Sequence, residues 1–258
     1  MANLDGKVVI VTGGARGMGA AHVQKLVNDG ARVVIADVLD EEGHAVASEL
    51  GDNARFIHLD VSSEQSWTEA VGKVHADFGP VTSLVNNAGV EFAAPLHETS
   101  VDQFDRVVGV NLKGVFLGIK AVAPDMLDAR SGAIVNIGSG AGLIGYENLS
   151  VYCSTKAGVN GLTMSAAIDY GKYGIRVNAL HPGIVQTPML REAMDSNEDL
   201  KNTLNDSVKY QSIPRMGETR EISSAVSFLL SDDASFVTGV SLPVDGGLIL
   251  GKATPLAG

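Results

Sequence analysis

The sequence predicts an α/β fold: a doubly wound, seven-stranded parallel sheet flanked by helices and built as a single domain. Short apolar, β-branched runs alternate with longer helical stretches along the chain, as parallel strands crossed over by helices would. The runs are continuously apolar, the pattern of strands covered on both faces. With 258 residues, 45% of them hydrophobic and 19% charged, the chain is long enough for one large core. No repeat, low-complexity tract or Pro/Gly/Ser linker interrupts the series, so one domain is expected over 1–258.

In chain order, Val8–Thr12 reads as the first strand and Gly17–Asp29 as the helix behind it, with Gly30 at the helix end. Arg32–Ala36, the helix Asp40–Glu49, Arg55–Leu59 and the helix Glu64–Phe78, closed by Gly79, continue the alternation. Ser83–Asn86 is the fourth strand, and Asp102–Ala129 a long helix leading to Ala133–Ile137. Val151–Tyr173, closed by Gly174, precedes Arg176–Leu180, and Thr219–Leu230 precedes the last strand, Val240–Pro243. Gly183–Pro214 breaks the pattern: it is polar and acidic after Met189-Leu190 and holds two possible short helices. A long insertion beyond a strand end suits a substrate lid, expected at about 184–214.

The net charge of -11 and the absence of Lys/Arg clusters exclude a nucleic-acid partner. The single cysteine, Cys153, excludes an intrachain disulfide framework and fits a reducing compartment. The start has no basic region followed by an apolar one, and no run reaches about 18 consecutive apolar residues. A soluble, cytoplasmic protein with no membrane partner is therefore expected. The six histidines show no metal-ligand spacing, so no metal is expected.

Thr12-Gly13-Gly14-Ala15-Arg16-Gly17-Met18-Gly19 joins the first strand to the first helix. Glycines at such a turn let the backbone approach a pyrophosphate, and the helix N-terminus offers N–H donors and partial positive charge. The spacing is G-x-x-x-G-x-G, which departs from the G-x-G-x-x-G fingerprint of many Rossmann dehydrogenases. Asp37, followed by Val38, ends the second strand eighteen residues past Gly19, where a carboxylate can bond both ribose hydroxyls of adenosine. It would repel a 2′-phosphate, so NAD is predicted over NADP, against a mild counter-signal from Arg16. Asp60-Val61 and Asn86-Asn87-Ala88-Gly89 end the third and fourth strands and should face the same cofactor. Asp60 could instead cap the next helix, and Asn86-Asn87 could simply tie neighbouring strands together.

Tyr152 and Lys156, four apart on a helix, share one face, and Ser139 stands thirteen residues upstream of Tyr152. A free phenol has a pKa of about 10; a neighbouring ammonium stabilises the phenolate and draws that value toward neutrality. The pair is then a candidate proton relay. Cys153 adjoins Tyr152, but successive helix residues diverge by about 100°, so it should point away. His181 reads as a packed strand-end residue. Val244-Asp245-Gly246-Gly247 reads as a turn at a subunit contact.

Taken in order, Gly13/Gly17/Gly19, Asp37, Asp60, Asn86-Asn87-Ala88-Gly89, Asn111, Ser139, Tyr152/Lys156 and Pro182-Gly183 resemble the short-chain dehydrogenase/reductase family over residues 5 to about 247. Thr12–Gly19 and Val33–Glu42 look most like its bacterial NAD-dependent hydroxysteroid and related secondary-alcohol dehydrogenases. The resemblance implies a seven-stranded parallel sheet and a homotetramer, with the helices around Asp102–Ala129 and Val151–Tyr173 at one dimer interface. It makes Tyr152 the general acid and base, Ser139 the hydroxyl that holds the substrate oxygen, and Lys156 the partner of the nicotinamide ribose that lowers the Tyr152 pKa together with the positive ring of NAD⁺. Asn111 would hold a water linking Lys156 to solvent. Val185 would place its backbone against the carboxamide, with the Thr187 hydroxyl nearby. Met18 stands where the family usually has Ile and would contribute its backbone N–H; Gly138 replaces a Ser.

The pocket is expected from Glu91–Ala94, Gly140–Tyr146 and Thr187–Met194, which follow the strand ends near Ser139 and Tyr152. Phe92, Leu143, Ile144, Tyr146, Met189 and Met194 would favour a hydrophobic ketone or secondary alcohol, alicyclic or steroid-like. No Arg or Lys waits there for a carboxylate or phosphate. The competing readings are a 3-oxoacyl carrier-protein reductase, against which Asp37 and the acidity count, and a noncatalytic NAD(H)-binding sensor, a kind that often lacks the Tyr or Lys.

Overall fold

Seven strands lie parallel in one sheet because each is a β-branched run with helices to cover both its faces. They are Val8–Thr12 (β1), Arg32–Asp37 (β2), Ala54–His58 (β3), Ser83–Asn86 (β4), Gly132–Ile137 (β5), Ile175–Pro182 (β6) and, after the two short strands β7 and β8 described below, Ser241–Val244 (β9). Their order is β3-β2-β1-β4-β5-β6-β9. The computed structural model describes residues 2–251 and 253, without the side chains of Met189, Ala193 and Leu200.

Alternation along each strand divides the core into two layers. Val8 and Ile10 of β1 and Val34 of β2 join one layer with Trp67, Leu117, Val122 and Met126. Val9, Val11, Val33 and Ile35 join the other with Val23, Leu26, Ile222 and Val226. The helices are Gly17–Asn28 (α1), Asp40–Leu50 (α2), Glu64–Asp77 (α3), Val101–Val108 (α4), Gly114–Ala129 (α5), Ser150–Gly171 (α6), Pro188–Ser196 (α7), Glu198–Lys209 (α8) and Thr219–Leu230 (α9). Gly30, Gly79 and Gly174 take positive φ just past α1, α3 and α6, as expected of C-terminal glycines.

The winding reverses between β1 and β4, so the loops leaving these two strands flank a crevice at the sheet's carboxyl edge, the usual ligand position in open α/β sheets. α4 and α5 form one continuous helix through a π-helical segment, Gly109–Lys113, a local irregularity hidden within the expected single helix. By length and composition Val101–Ala129 could cross a membrane, yet half of its apolar stretch is buried within this fold.

The segment after β6 is more ordered than its sequence suggests. Val185–Gln186 (β7) pairs with Gly217–Glu218 (β8) in a separate two-stranded ladder, and α7 and α8 lie between them. The far end is pinned where the Ile213 N–H donates to Gly246 O at 2.8 Å. Gly246 belongs to the expected turn, in which Asp245 accepts from the N–H groups of Gly247 and Ile249 at 2.8 and 3.0 Å.

Candidate active site

The glycine turn closes tightly on the neighbouring loop. Gly13 adopts φ +63°, and a Cβ on it would lie 2.9 Å from Ala88 Cα; a Cβ on Gly19 would lie 1.9 Å from Gly13 O. Only glycine permits that approach. Asn87 fixes the turn from the β4 side, donating from Nδ2 to Thr12 O at 2.9 Å and to Gly13 O at 3.1 Å. The Thr12 hydroxyl in turn accepts from the N–H groups of Asn87 and Ala88, each at 3.0 Å. Asn87 thus shapes the cradle from beneath. Arg16 is exposed and occupies the N-cap of α1 with no side-chain cap bond, and the first turn carries no acidic residue. Gly17, Met18 and Gly19 then present N–H groups that suit an anion. Met18 is half-buried, its side chain packed against the core.

Asp37 is buried at the end of β2 and holds more of the backbone than its sequence position reveals. Its Oδ2 accepts from the Ala15 N–H at 3.0 Å, and Oδ1 from those of Val38 and Leu39 at 2.8 and 3.2 Å. A carboxylate offers about four acceptor sites, so this anchoring leaves capacity for a ribose hydroxyl. Val38 exposes 54% of its surface beside it. Asp60 does not cap the next helix: Ser63 caps α3, and Asp60 accepts instead from the Ser62 N–H and hydroxyl at 2.9 and 2.7 Å. Val61 is buried against Gly114. Asn86 fulfils its structural alternative, tying β4 to β5 through Asn136 Oδ1 at 2.8 Å. Gly89 lies beside Asn111 and Lys156, whose Oδ1 and Nζ would each stand 3.5 Å from a Cβ on it.

Ser139, Tyr152 and Lys156 converge at the carboxyl end of β5. The Lys156 ammonium is buried and donates to Ile137 O at 2.9 Å, lying 5.7 Å from the Tyr152 ring centroid. Tyr152 faces the Ser139 side chain, which acts to lower the phenol's pKa, and the Ser139 oxygen accepts from the Ala141 N–H at 3.1 Å. Burial pushes the Tyr152 phenol up to about 12, with Glu91 and Cys153 adding to the rise and the Ser139 side chain opposing it. Burial likewise lowers Lys156 to about 8. In the protein alone desolvation dominates and the net shift of the phenol is upward. Cys153 is half-buried.

Asn111 is fully buried in the π-helical segment and spends its side chain on Val90: Nδ2 donates to Val90 O at 2.8 Å and Oδ1 accepts from the Val90 N–H at 2.8 Å. Its side chain fixes the loop that begins the pocket.

The opposite wall follows β6. Pro182 is buried, and Gly183 approaches the Asp245 backbone so closely that a Cβ would lie 2.8 Å from its Cα. Val185 is buried, and the Thr187 hydroxyl caps α7 by accepting from the Leu190 N–H at 3.2 Å. Among the expected pocket residues Phe92, Leu143 and Met194 are half-buried, while Tyr146 remains 37% exposed. The Met189 side chain lies outside the described residues. The Ala94 N–H donates to Asn148 O at 2.9 Å, tying the first pocket segment to the chain just past the second. Sequence reasoning missed one contact: His181 is fully buried and bonds the Ser139 backbone. Nothing in a His-Pro-Gly triplet signals a bond to a residue 42 positions away.

Residues 7–198 match the short chain dehydrogenase family, and the chain belongs to it. The 3-alpha-(or 20-beta)-hydroxysteroid dehydrogenase of Mycobacterium tuberculosis is 46% identical over 250 residues, covering 97% of this chain and 92% of the relative. The trans-4-hydroxycyclohexanecarboxylate dehydrogenase of Sinomonas cyclohexanicum is 44% identical over 257 residues, with 95% and 94% coverage. Among solved structures, levodione reductase superposes with a TM-score of 0.90 at 36% identity, covering 95% of this chain and 98% of that one. The protein is an oxidoreductase of this family, a class that binds a nicotinamide dinucleotide.

Proposed function

We propose that the protein interconverts a hydrophobic secondary alcohol and its ketone, alicyclic or steroid-like, using NAD. The observation that carries this reading is the convergence of a Tyr152–Ser139 hydroxyl pair with a buried ammonium at the mouth of the glycine cradle. Gly13, Arg16, Gly17, Met18 and Gly19 would hold the pyrophosphate of the dinucleotide, which would supply the hydride in reduction and accept it in oxidation. Asp37 and Val38 would hold its adenosine ribose, Asp60 and Val61 the adenine side. Asn87, Ala88 and Gly89 would line its middle, and Pro182, Gly183, Val185 and Thr187 the carboxamide end.

Ser139 donates a hydrogen bond to the substrate oxygen and fixes it beside Tyr152. In reduction the Tyr152 hydroxyl gives its proton to that oxygen; in oxidation the phenolate takes it back. A phenol held at about 12 by burial keeps its proton until positive charge is brought close, so the acid is protected when alone. Lys156, with its ammonium 5.7 Å from the Tyr152 ring centroid, would supply part of that charge and meet the ribose, and Asn111 would hold a water linking it to solvent. The stretch at about 184–214, with α7 and α8 on its two-residue ladder, closes over the substrate.

Two relatives act, by name, on a hydroxysteroid and on a ring alcohol, which supports a cyclic substrate here. The buried Asp37 carboxylate supports NAD through repulsion of a 2′-phosphate. Phe104, Phe116, Met164 and Ile168 leave large apolar surface exposed on α4, α5 and α6, which supports the homotetramer. Steady-state rates on cyclic, aryl-alkyl and steroid ketones with NADH and NADPH test the reading. The expected result is turnover of cyclic ketones with higher kcat/KM for NADH; turnover confined to acyl thioesters, or a preference for NADPH, contradicts it.

A further inference from the structure

We propose that His181 is a positioning residue for Ser139, holding its main chain so that the hydroxyl faces the substrate oxygen, and that the same ring dictates glycine at position 138. This rests on the reading of Ser139 given above. His181 lies on β6 one residue past Leu180, the partner of Ile137 in the ladder, which brings its imidazole beneath the end of β5. Its Nδ1 is 2.9 Å from Ser139 O and 3.2 Å from Ser139 N. The shorter contact assigns Nδ1–H as donor to the carbonyl, which also accepts from the Gly142 N–H at 2.9 Å. Two donors therefore fix one carbonyl, and the residue bearing it stays extended, at φ -168° and ψ 157°.

The ring is fully buried, and its Nε2 has no partner among the described residues. An unpaired polar atom of this kind is a cost, which an apolar residue of similar size would avoid. Burial lowers the ring's pKa against the opposing bond to the Ser139 backbone, with the nearby Lys156 charge adding to the fall. What it does supply is a hydrogen-bond donor to the Ser139 carbonyl. Gly138 completes the arrangement: a Cβ there would lie 2.4 Å from both Cε1 and Nδ1 of His181, well inside contact distance. Any side chain at 138 displaces the ring and frees Ser139.

The test compares His181→Ala, His181→Asn, Gly138→Ala and the double variant His181→Ala/Gly138→Ala, with Ser139→Ala as reference, by steady-state kinetics, NADH titration and thermal unfolding. Asn keeps a polar group near the place of Nδ1. His181→Ala and Gly138→Ala are each expected to lose about tenfold or more in kcat, as misplacement of a positioned group does, with NADH affinity unchanged. His181→Asn should restore most of kcat, and Gly138→Ala should cost nothing further once His181 is gone. Equal kcat for the Asn and Ala variants, or additive losses in the double variant, overturns the proposal. If Ser139→Ala retains kcat, the role given to Ser139 fails instead, whereas an inactive Ser139→Ala beside a fully active His181→Ala refutes only the positioning.

Discussion

Asp37 and Tyr152 show what a residue's sequence position reveals and what it hides. The place of Asp37 at the end of the second strand pointed to a ribose contact, but not to its three backbone N–H bonds, since these arise from the curl of the glycine turn back over β2. Asp37→Ala is thus expected to act twice. Removing the charge that repels a 2′-phosphate should lower the NADH-over-NADPH ratio of kcat/KM by about tenfold or more, and losing bonds to a charged acceptor should cost roughly 2 kcal/mol of stability. Kinetics with both cofactors and urea unfolding check the two effects; an unchanged cofactor ratio contradicts the specificity assigned to Asp37. Tyr152 and Lys156 were legible as a pair because residues four apart on a helix share a face, whereas the role of Ser139 came from the family resemblance. The direction of the phenol's shift was not legible, because it depends on how many apolar atoms the folded chain packs around the ring.

Among the elements, α1 carries both the proposed cofactor cradle and a pH sensitivity. A methyl at position 19 would meet Gly13 O at 1.9 Å, so Gly19→Ala must push the turn away from the helix. NADH affinity, read by fluorescence titration, is expected to fall by about thirtyfold or more, since the N–H donors of the helix no longer converge; wild-type affinity would contradict the assigned cradle. Three residues further along, His22 is fully buried against α9, its Nδ1 2.8 Å from the Ser223 hydroxyl. Burial lowers its pKa from 6.5 to about 4. Between those values the unfolded chain binds a proton that the folded chain refuses, so stability is full above pH 6.5 and falls as the pH drops toward 4. The loss from this one group is roughly 3 kcal/mol. His22→Leu should flatten that part of the acid limb in unfolding experiments; an unchanged limb contradicts the assignment.

The elements themselves were largely legible. Each sheet strand and each core helix falls within one or two residues of its expected span, because continuous β-branched runs and end glycines are strong local signals. β7 and β8 were not, since two residues carry no periodicity. Nor was the π-helical segment, which leaves the helix continuous and carries no local residue signal of its own.

At the scale of the whole molecule, the reversal of winding between β1 and β4 gathers every candidate group at one edge of the sheet. The turn after β1, the Asp37 carboxylate after β2, the Asn87 loop after β4, Ser139 after β5 and Pro182-Gly183 at the end of β6 all leave from carboxyl ends. Tyr152 and Lys156 reach the same place from α6, which packs against β6. That geometry follows from right-handed crossovers in a parallel sheet, so a sequence that fixes the strand order also fixes where its chemistry meets. What it leaves open is the substrate wall, built from loops whose mutual contacts depend on tertiary packing. The central claim is that one phenol carries the proton in this crevice. It is tested most directly by following NADH absorbance at 340 nm with a turned-over cyclic ketone for wild type and Tyr152→Phe, with NADH binding measured on both. The expected result is equal NADH affinity and a loss of about a thousandfold in kcat for the variant; a variant that turns over at the wild-type rate would contradict the account.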